Sequence, residues 1–295
     1  MAAAQTCPVE LVVLGTAQDG GAPQIGHDGD PAWADPSLRR TATSIAVVDH
    51  ASGRRWLFDA TPDLREQLHR LGEVLPAQDP NHGLDGVFLT HAHMGHYTGL
   101  MFFGHESMGA KSLPVYAMPR MAGYLGANGP WSQLVRYENI TLKPLADGRT
   151  EDLGPIRVTP LLVPHRQEFS EVVGFRIEGP RYSALFIPDI DSWEQWDALG
   201  TRIEDEIARV DVAYLDATFY AQGELPGRDM TKIPHPLITH SMARFAALPA
   251  AERAKIRFIH LNHTNPARFP DSEARRAIEK GAFQVAEEME KVCLS

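Results

Sequence analysis

The sequence predicts an α/β protein, and three observations support this. Apolar stretches of about five residues recur along the chain, and each is followed by a polar or Gly/Pro segment. Helical patterns lie between several of these stretches, which is typical of α/β proteins. The hydrophobic content of 43% and the charged content of 22% are ordinary for a folded domain. This composition excludes disordered, collagen-like and coiled-coil chains.

Eight apolar stretches are predicted to be strands. Several are apolar throughout, as expected of strands that are buried on both faces. The predicted strands are residues 9–14, 45–48, 56–58, 87–89, 156–163, 184–187, 212–215 and 256–261.

Two helices are clearest in the sequence. The first follows Asp59, where Pro62 suits a first helical position and leucines at positions 64, 68 and 71 share one face. The second follows Asp191, where Ser192 and Gln195 form a capping box. Its apolar stripe consists of Trp193, Trp196 and Leu199. We interpret this stripe as core and not as a cofactor site.

The loops favour one domain. Gly- and Pro-rich stretches at residues 19–36 and 223–236 are predicted loops, and neither is long or biased enough to be an interdomain linker. The chain has 295 residues, and we see no short-period repeat in it. We therefore expect a single domain over residues 1–295.

Charge and cysteine content restrict the partners and the compartment. A net charge of −10 repels phosphate backbones, so no long nucleic acid is expected as a partner. Cys7 and Cys293 lie near opposite termini, which predicts neither a disulfide framework nor a C-x-x-C metal knuckle, and a reducing compartment fits. Without a leader-like N-terminus or a membrane-length apolar run, we expect a cytoplasmic protein with no membrane partner.

The most informative segment follows the predicted strand at residues 87–89. It contains His91, His93 and His96 within six residues. In an extended segment, positions 91 and 93 point the same way, so that two imidazoles can bind one metal ion. After a turn at Gly95, His96 faces a neighbouring position. The pattern therefore indicates a metal centre.

A metal ion needs more ligands than this segment offers, so further His or Asp residues are expected at the ends of other strands. The chain has five such residues at predicted strand ends. They are Asp59, His165, Asp189, Asp216 and His263.

The order of these residues resembles the signature of the metallo-β-lactamase-fold superfamily. The matching positions are Asp59, His91, His93, His96, His165, Asp189 and His263. Residues 14–24 and 59–65 are similar to the PQQ-biosynthesis protein B branch of that superfamily. The resemblance implies an αββα four-layer sandwich with metals at one sheet edge. It also implies a first ion on His91, His93, His165 and Asp189, and a second on His96, Asp189 and His263.

One position departs from the family pattern. The aspartate that precedes the third histidine of the motif, and that binds the second metal in the family, is Gly95 here. His235 or Asp216 could supply the missing ligand. The number of ions therefore stays open at one or two, with Zn²⁺ expected and Fe²⁺ or Mn²⁺ as alternatives.

The implied function is a metal-dependent hydrolase that uses a metal-bound hydroxide on a small-molecule substrate, such as a phosphodiester or related ester. Asp59 would orient a ligand histidine, Asp189 would bridge the ions, and His235, between two prolines, is the candidate general acid.

Three alternatives stay open at this point. They are an iron-dependent oxygenase or hydroxylase of the PQQ-biosynthesis protein B type, a lactone or β-lactam hydrolase, and a non-catalytic binding module stabilised by metal. The sequence also leaves a homodimer open.

Overall fold

The computed structural model describes residues 7–77, 81 and 83–295. The N-terminal residues 1–6, which bear on the expected absence of a leader, lie outside the described residues. The strands are β1 (Val9–Gly15), β2 (Ser44–Asp49), β3 (Arg54–Phe58), β4 (Leu84–Phe88), β5 (Leu113–Ala117), β6 (Ile140–Pro144), β7 (Glu151–Asp152), β8 (Arg157–Leu162), β9 (Val173–Glu178), β10 (Ser183–Ile187), β11 (Val212–Asp216), β12 (Ile256–Ile259), β13 (Gln284–Val285) and β14 (Lys291–Cys293).

The helices flank these strands. They are α1 (Leu64–Val74), α2 (Met94–Tyr97), α3 (Pro119–Ala127), α4 (Trp131–Arg136), α5 (Trp193–Ala198), α6 (Ile203–Ala208), α7 (Ile238–Phe245), α8 (Ala250–Arg253) and α9 (Glu273–Lys280). Among the described residues, none of the helices has the length and hydropathy needed to span a membrane.

The strands form two mixed sheets. Within the described residues, the first has the order β14-β1-β2-β3-β4-β5-β6 and the second has the order β13-β12-β11-β10-β9-β8-β7. Strands β3 to β6 are parallel to one another, as are β10 to β13. The carboxyl ends of parallel strands meet at one edge of a sheet, which is where ligands usually bind.

The two sheets pack face to face through an aromatic core. The ring of Phe58 lies 5.0 Å from that of Phe88 in the first sheet, and Phe175 of the second sheet lies 5.5 Å from Phe58 and 5.7 Å from Phe88. Edge-to-face ring contacts at such distances stabilise the packing beyond the burial of area alone.

The outer face of each sheet is covered by helices. Leu64, Leu68 and Leu71 of α1 are buried against the first sheet, and each contributes about 2 kcal/mol through burial. Trp193 and Trp196 of α5 are buried against the second sheet. The layers therefore run helix, sheet, sheet, helix, which confirms the predicted αββα sandwich.

The two predicted helices differ from the structure in their ends. Helix α1 begins at Leu64, two residues after Pro62. The Gln195 N–H donates to Ser192 Oγ at 3.1 Å, as a cap should. Leu199, however, is 70% exposed, which corrects its predicted place in the apolar stripe. The helix ends at Ala198, and the chain turns away at Gly200, whose φ of 92° is left-handed.

The termini show a larger difference. Cys7 and Cys293 form a disulfide, with a Cα–Cα distance of 5.7 Å. This corrects the expectation that the two cysteines form no disulfide framework. The physical reason is the pairing of β14 with β1, in which Glu10 lies opposite Cys293. The sheet thus brings together residues that are 286 positions apart in the sequence.

Candidate metal centre

Histidines and aspartates gather at one edge of the two sheets. Asp59, Asp189 and His260 follow the ends of β3, β10 and β12, and Asp216 is the last residue of β11. The segment that carries His91 follows β4. Because these strands run in the same direction within each sheet, their carboxyl ends converge. The fold itself therefore brings together side chains that are far apart in the sequence.

The first group consists of His91, His93, His165 and Asp189, whose candidate ligand atoms all lie within 4.8 Å of one another. His93 Nδ1 lies 2.8 Å from His91 Nε2 and 3.2 Å from His165 Nε2. Asp189 Oδ2 is 3.4 Å from His91 Nε2. Three imidazole nitrogens and a carboxylate are a donor set that suits zinc. The structure brings together all four residues that the resemblance implied.

The second group consists of Asp19, His96, Asp189 and His260. His96 Nε2 lies 3.3 Å from Asp19 Oδ1 and 3.2 Å from Asp189 Oδ2. His260 Nε2 is 3.5 Å from Asp189 Oδ2 and 3.9 Å from Asp19 Oδ1. This group differs from the implied one in two residues, Asp19 and His260.

The atoms of this centre fit a cation. Asp19 Oδ1, His96 Nε2, Asp189 Oδ1 and His260 Nε2 are buried and have no hydrogen-bond partner. Buried polar atoms are normally paired, because an unpaired one costs about 1–3 kcal/mol. Nitrogen and oxygen atoms that converge in this way without hydrogen bonds are the expected surroundings of a divalent ion.

His263 does not join the centre, which corrects its implied place as a ligand. Its ring lies beside that of His27, with centroids 4.8 Å apart. Strand β12 ends at Ile259, and His260 takes a left-handed φ of 68°. The alternation of side chains in a strand no longer applies there. His260 therefore turns towards the second group of ligand atoms and His263 turns away.

Asp19, which the sequence reasoning missed, belongs to the second group and lies directly beside Gly95. Neither Asp216 nor His235 belongs to the second group, although with Asp189 they form a third cluster of candidate ligand atoms. Asp19 lies in the predicted loop at residues 19–36, and only its place in the family-like segment at residues 14–24 could have drawn attention to it.

Hydrogen bonds behind the ligands fix the orientation of the rings. His96 Nδ1 donates to Asp59 Oδ2 at 2.7 Å, as expected for Asp59, and His165 Nδ1 donates to Asp191 Oδ1 at 2.7 Å. In each ring the other nitrogen, Nε2, is then free to face the centre. Partners of this kind orient metal ligands and raise their basicity.

Two threonines support His91 and His260 in the same way. Thr90 Oγ1 lies 3.0 Å from His91 Nδ1 and donates to Asp59. Thr218 Oγ1 lies 3.0 Å from His260 Nδ1 and donates to Asp216. A buried aspartate from each sheet thus supports a ligand histidine through a threonine.

His235 lies beside the centre, with its Nδ1 atom 2.8 Å from Asp216 Oδ2 and 3.3 Å from Asp189 Oδ1. Burial alone would lower the pKa of this histidine, but the adjoining Asp216 carboxylate raises the pKa of His235 to about 9. Its ring is therefore doubly protonated at neutral pH.

Charge within the centre favours metal-binding forms at most positions. Burial lowers the pKa of His91 well below its usual range, so this ring is neutral. Burial opposes ionisation of Asp189, yet the adjoining imidazoles of His260 and His165 hold the pKa of Asp189 well below its usual range. His96 differs: burial disfavours its charge, but Asp59 and the other carboxylates hold the pKa of His96 well above its usual range. An ion at the second position must displace that proton.

An αββα sandwich with His/Asp groups at the edge of its sheets defines a metal-binding protein of the metallo-β-lactamase class. The model of the beta-lactamase superfamily domain matches residues 54–264, and the chain belongs to this superfamily. The family resemblance recognised in the sequence is thereby confirmed.

Relatives and solved structures agree with this assignment. Coenzyme PQQ synthesis protein B from Methylobacterium sp. (strain 4-46) is 26% identical, over 94% of this chain and 97% of the relative. The protein of that name from Xanthomonas axonopodis pv. citri (strain 306) is 29% identical, over 88% and 91%.

Two solved structures share the fold. Zinc-bound PqqB from Methylobacterium extorquens has a TM-score of 0.80 at 24% identity, covering 96% of this chain and 99% of its own. A diphosphatase from the PhnP family has a TM-score of 0.67 at 23% identity, covering 96% of each chain.

Proposed function

We propose that this protein is a metal-dependent hydrolase of small phosphodiesters or related esters. The observation that carries the proposal is the sharing of Asp189 by two groups of His and Asp ligand atoms. Divalent ions held there, with Zn²⁺ expected and Fe²⁺ or Mn²⁺ as alternatives, would lower the pKa of water and stabilise negative charge on the substrate.

Asp189 is the central residue of this arrangement. Its Oδ1 atom lies 3.5 Å from His165 Nε2 in the first group, and its Oδ2 atom lies 3.2 Å from His96 Nε2 in the second. Because Oδ2 also lies 3.4 Å from His91 Nε2 of the first group, the Asp189 carboxylate is placed to contribute to both groups. Asp59 acts indirectly, because its hydrogen bond holds the ring of His96 in place.

His235 is suited to protonate the leaving group. Because its Nδ1–H donates to Asp216, the Nε2–H is the proton that the ring can give away. Pro234 and Pro236 restrict the backbone on both sides, so little entropy is lost in placing the ring. We expect His235→Ala to lower kcat by about 10²-fold or more while the metal content stays unchanged. An unchanged kcat would exclude this role.

A small substrate fits the exposure of the ligands. His93 and Asp19 are the partly exposed members, with 14% and 29% of their side chains accessible, whereas His91, His96 and Asp189 are nearly fully buried. A substrate therefore approaches between the segment that carries His93 and the loop that carries Asp19. Support for a phosphoester comes from the fold shared with a diphosphatase. The net charge of −10 argues against a long nucleic acid.

The test is hydrolysis of bis(p-nitrophenyl) phosphate by protein loaded with Zn²⁺, Mn²⁺ or Fe²⁺. A simple lactone and a β-lactam serve as competing substrates. We expect the phosphodiester to be hydrolysed, and we expect His165→Ala to abolish this activity. The matched control is His240→Ala, because His240 is an exposed histidine paired with Glu194. If the lactone or the β-lactam is hydrolysed in preference, that compound class replaces phosphodiesters as the proposed substrate. No hydrolysis at all would favour a binding module.

A second candidate is an oxidative role in coenzyme PQQ synthesis. The names of the relatives favour a part in coenzyme PQQ synthesis, and an oxidative step there would be compatible with a histidine-rich site, which accepts iron as well as zinc. The discriminating measurement is dioxygen uptake by the Fe²⁺-loaded protein in the presence of a tyrosine-containing peptide. Uptake that depends on the peptide would favour this candidate over the hydrolase.

The compartment and the assembly also stay proposals. We propose a cytoplasmic protein in which Cys7 and Cys293 would be reduced inside the cell, and we leave a homodimer as a prediction. Alkylation of Cys7 and Cys293 in freshly lysed cells would test the compartment, because the described disulfide persists chiefly in oxidising surroundings. Sedimentation of the purified protein would test the assembly.

A further inference from the structure

The second metal position depends on a residue that has no side chain. A Cβ atom placed on Gly95 would lie 2.2 Å from Asp19 Oδ1 and 2.4 Å from Asp19 Cα. Real Cβ atoms do not approach other heavy atoms so closely. One of the two atoms, Asp19 Cα, belongs to the backbone and cannot move aside as the end of a flexible side chain could. Asp19 in its present position and any side chain at residue 95 therefore exclude each other.

The N-terminal loop that carries Asp19 is held on both sides. Towards the first sheet, the backbone N–H of Ala17 donates to the backbone carbonyl oxygen of Thr41 at 2.9 Å. Towards the second sheet, the Gln18 N–H donates to the Leu261 oxygen at 2.9 Å. The segment that precedes Asp19 thus connects both sheets, and it binds the residue that follows His260. Asp19 and His260 are consequently fixed relative to each other.

Asp19 also points into the centre. Its Oδ1 atom is buried, lies 3.3 Å from His96 Nε2 and has no hydrogen-bond partner. Leaving a carboxylate oxygen buried in this way is costly unless a cation completes its surroundings. The position of Asp19 Oδ1 beside His96 and its lack of a hydrogen-bond partner both indicate that Asp19 is a metal ligand.

We propose that the carboxylate of the second metal position has moved from the histidine motif to the N-terminal loop, so that Asp19 and Gly95 form one exchangeable pair. An aspartate can stand at either position but not at both. The inference rests on the metal centre of the proposed function and is independent of its substrate.

The test counts Zn²⁺ bound to the full-length protein, by elemental mass spectrometry after equilibrium dialysis. No substrate is involved. We expect about two ions per wild-type chain, and about one in Asp19→Asn, with the affinity for the second ion reduced at least about a hundredfold. Gly95→Ala should also bind about one ion, although alanine removes no ligand, because its methyl group displaces Asp19.

The exchange itself is tested by the double variant Asp19→Gly/Gly95→Asp. We expect it to bind about two ions again, whereas Gly95→Asp alone should melt at a lower temperature than the double variant in the metal-free state. Matched controls are Asp28→Asn, an exposed carboxylate of the same loop, and Gly123→Ala, at a helical glycine where an added Cβ would have nothing within 4 Å. Both controls should bind two ions.

Three outcomes would overturn the proposal. These are one ion in the wild type, two ions of unchanged affinity in Asp19→Asn, or two ions of unchanged affinity in Gly95→Ala. A double variant that is folded and has a filled first position, but lacks the second ion, would refute the exchange. Failure of the hydrolase proposal looks different, since the ion counts would be as expected and no ester would be cleaved.

Discussion

The two candidate metal positions have similar donors but are built from different parts of the chain. The first takes His91 and His93 from one short segment and His165 from the segment just beyond β8. The second takes His96 from that same segment, but it also needs Asp19 from a loop and His260 from just beyond β12. The first position therefore takes two of its four ligands from one short motif, whereas each ligand of the second comes from a different segment of the chain.

The rings at both positions are supported in the same way, so the difference lies in the carboxylate. His91 reaches Asp59 through Thr90, and His260 reaches Asp216 through Thr218. Each sheet contributes one such arrangement. What distinguishes the second position is its dependence on Asp19, which comes from outside the strand ends.

The largest effect is expected where the two positions share a residue. Asp189→Asn keeps the size of the side chain and removes its charge, so both positions should bind Zn²⁺ at least about a hundredfold more weakly. Isothermal titration of the metal-free variant measures both affinities, and circular dichroism checks that it is folded. If only one position weakened, Asp189 would not be shared.

A smaller effect, confined to one position, separates two neighbouring histidines. His260→Ala should remove the second ion and leave the first, because His260 Nε2 faces Asp19 and Asp189. His263→Ala should bind both ions as the wild type does, since its ring packs beside His27. Metal content is the measurement. Loss of an ion in His263→Ala would restore the ligand assignment made from the sequence.

Removing the support behind the rings should have a weaker effect still. Asp191→Asn should reduce affinity at the first position about tenfold, because Asp191 orients His165. Thr218→Val, which keeps the shape, should do the same at the second position through His260. Titration of the two variants side by side tests the comparison. Equal weakening of both positions by either variant would contradict it.

The smallest effect on the metals is expected at the far end of β1. Cys7→Ser removes a cross-link that closes almost the whole chain, so the free energy of unfolding should fall by about 2–4 kcal/mol. The strand places the disulfide about 20 Å from Gly15, so metal content should not change. Thermal melting with and without reductant is the measurement. If reductant leaves the melting temperature of the wild type unchanged, the cross-link is contradicted.

Much of the fold could be predicted from the sequence. Each predicted strand overlaps an observed one, since runs of apolar residues can be recognised without knowing their neighbours. Strands such as β5, with its proline, and β9, with its glycine and arginine, were missed because their composition resembles that of loops. Their place is decided by hydrogen bonds to neighbouring strands.

By itself, the sequence determined the class of the fold and the first metal position. In an extended segment, positions 91 and 93 point the same way, so His91 and His93 are expected to be neighbours, and the resemblance to the family motif then points to His165 and Asp189. These features can be predicted from the sequence because they depend on local geometry and on the order of strand ends.

Only the tertiary structure decided the second position and the joining of the termini. Whether His260 or His263 faces the metals depends on where β12 ends, and the left-handed backbone at His260 is set by that packing. Asp19 is found only when two sheets hold its loop over Gly95, and Cys7 meets Cys293 only when β14 adds to β1. These are contacts between distant segments, for which periodicity and spacing along the chain carry no signal.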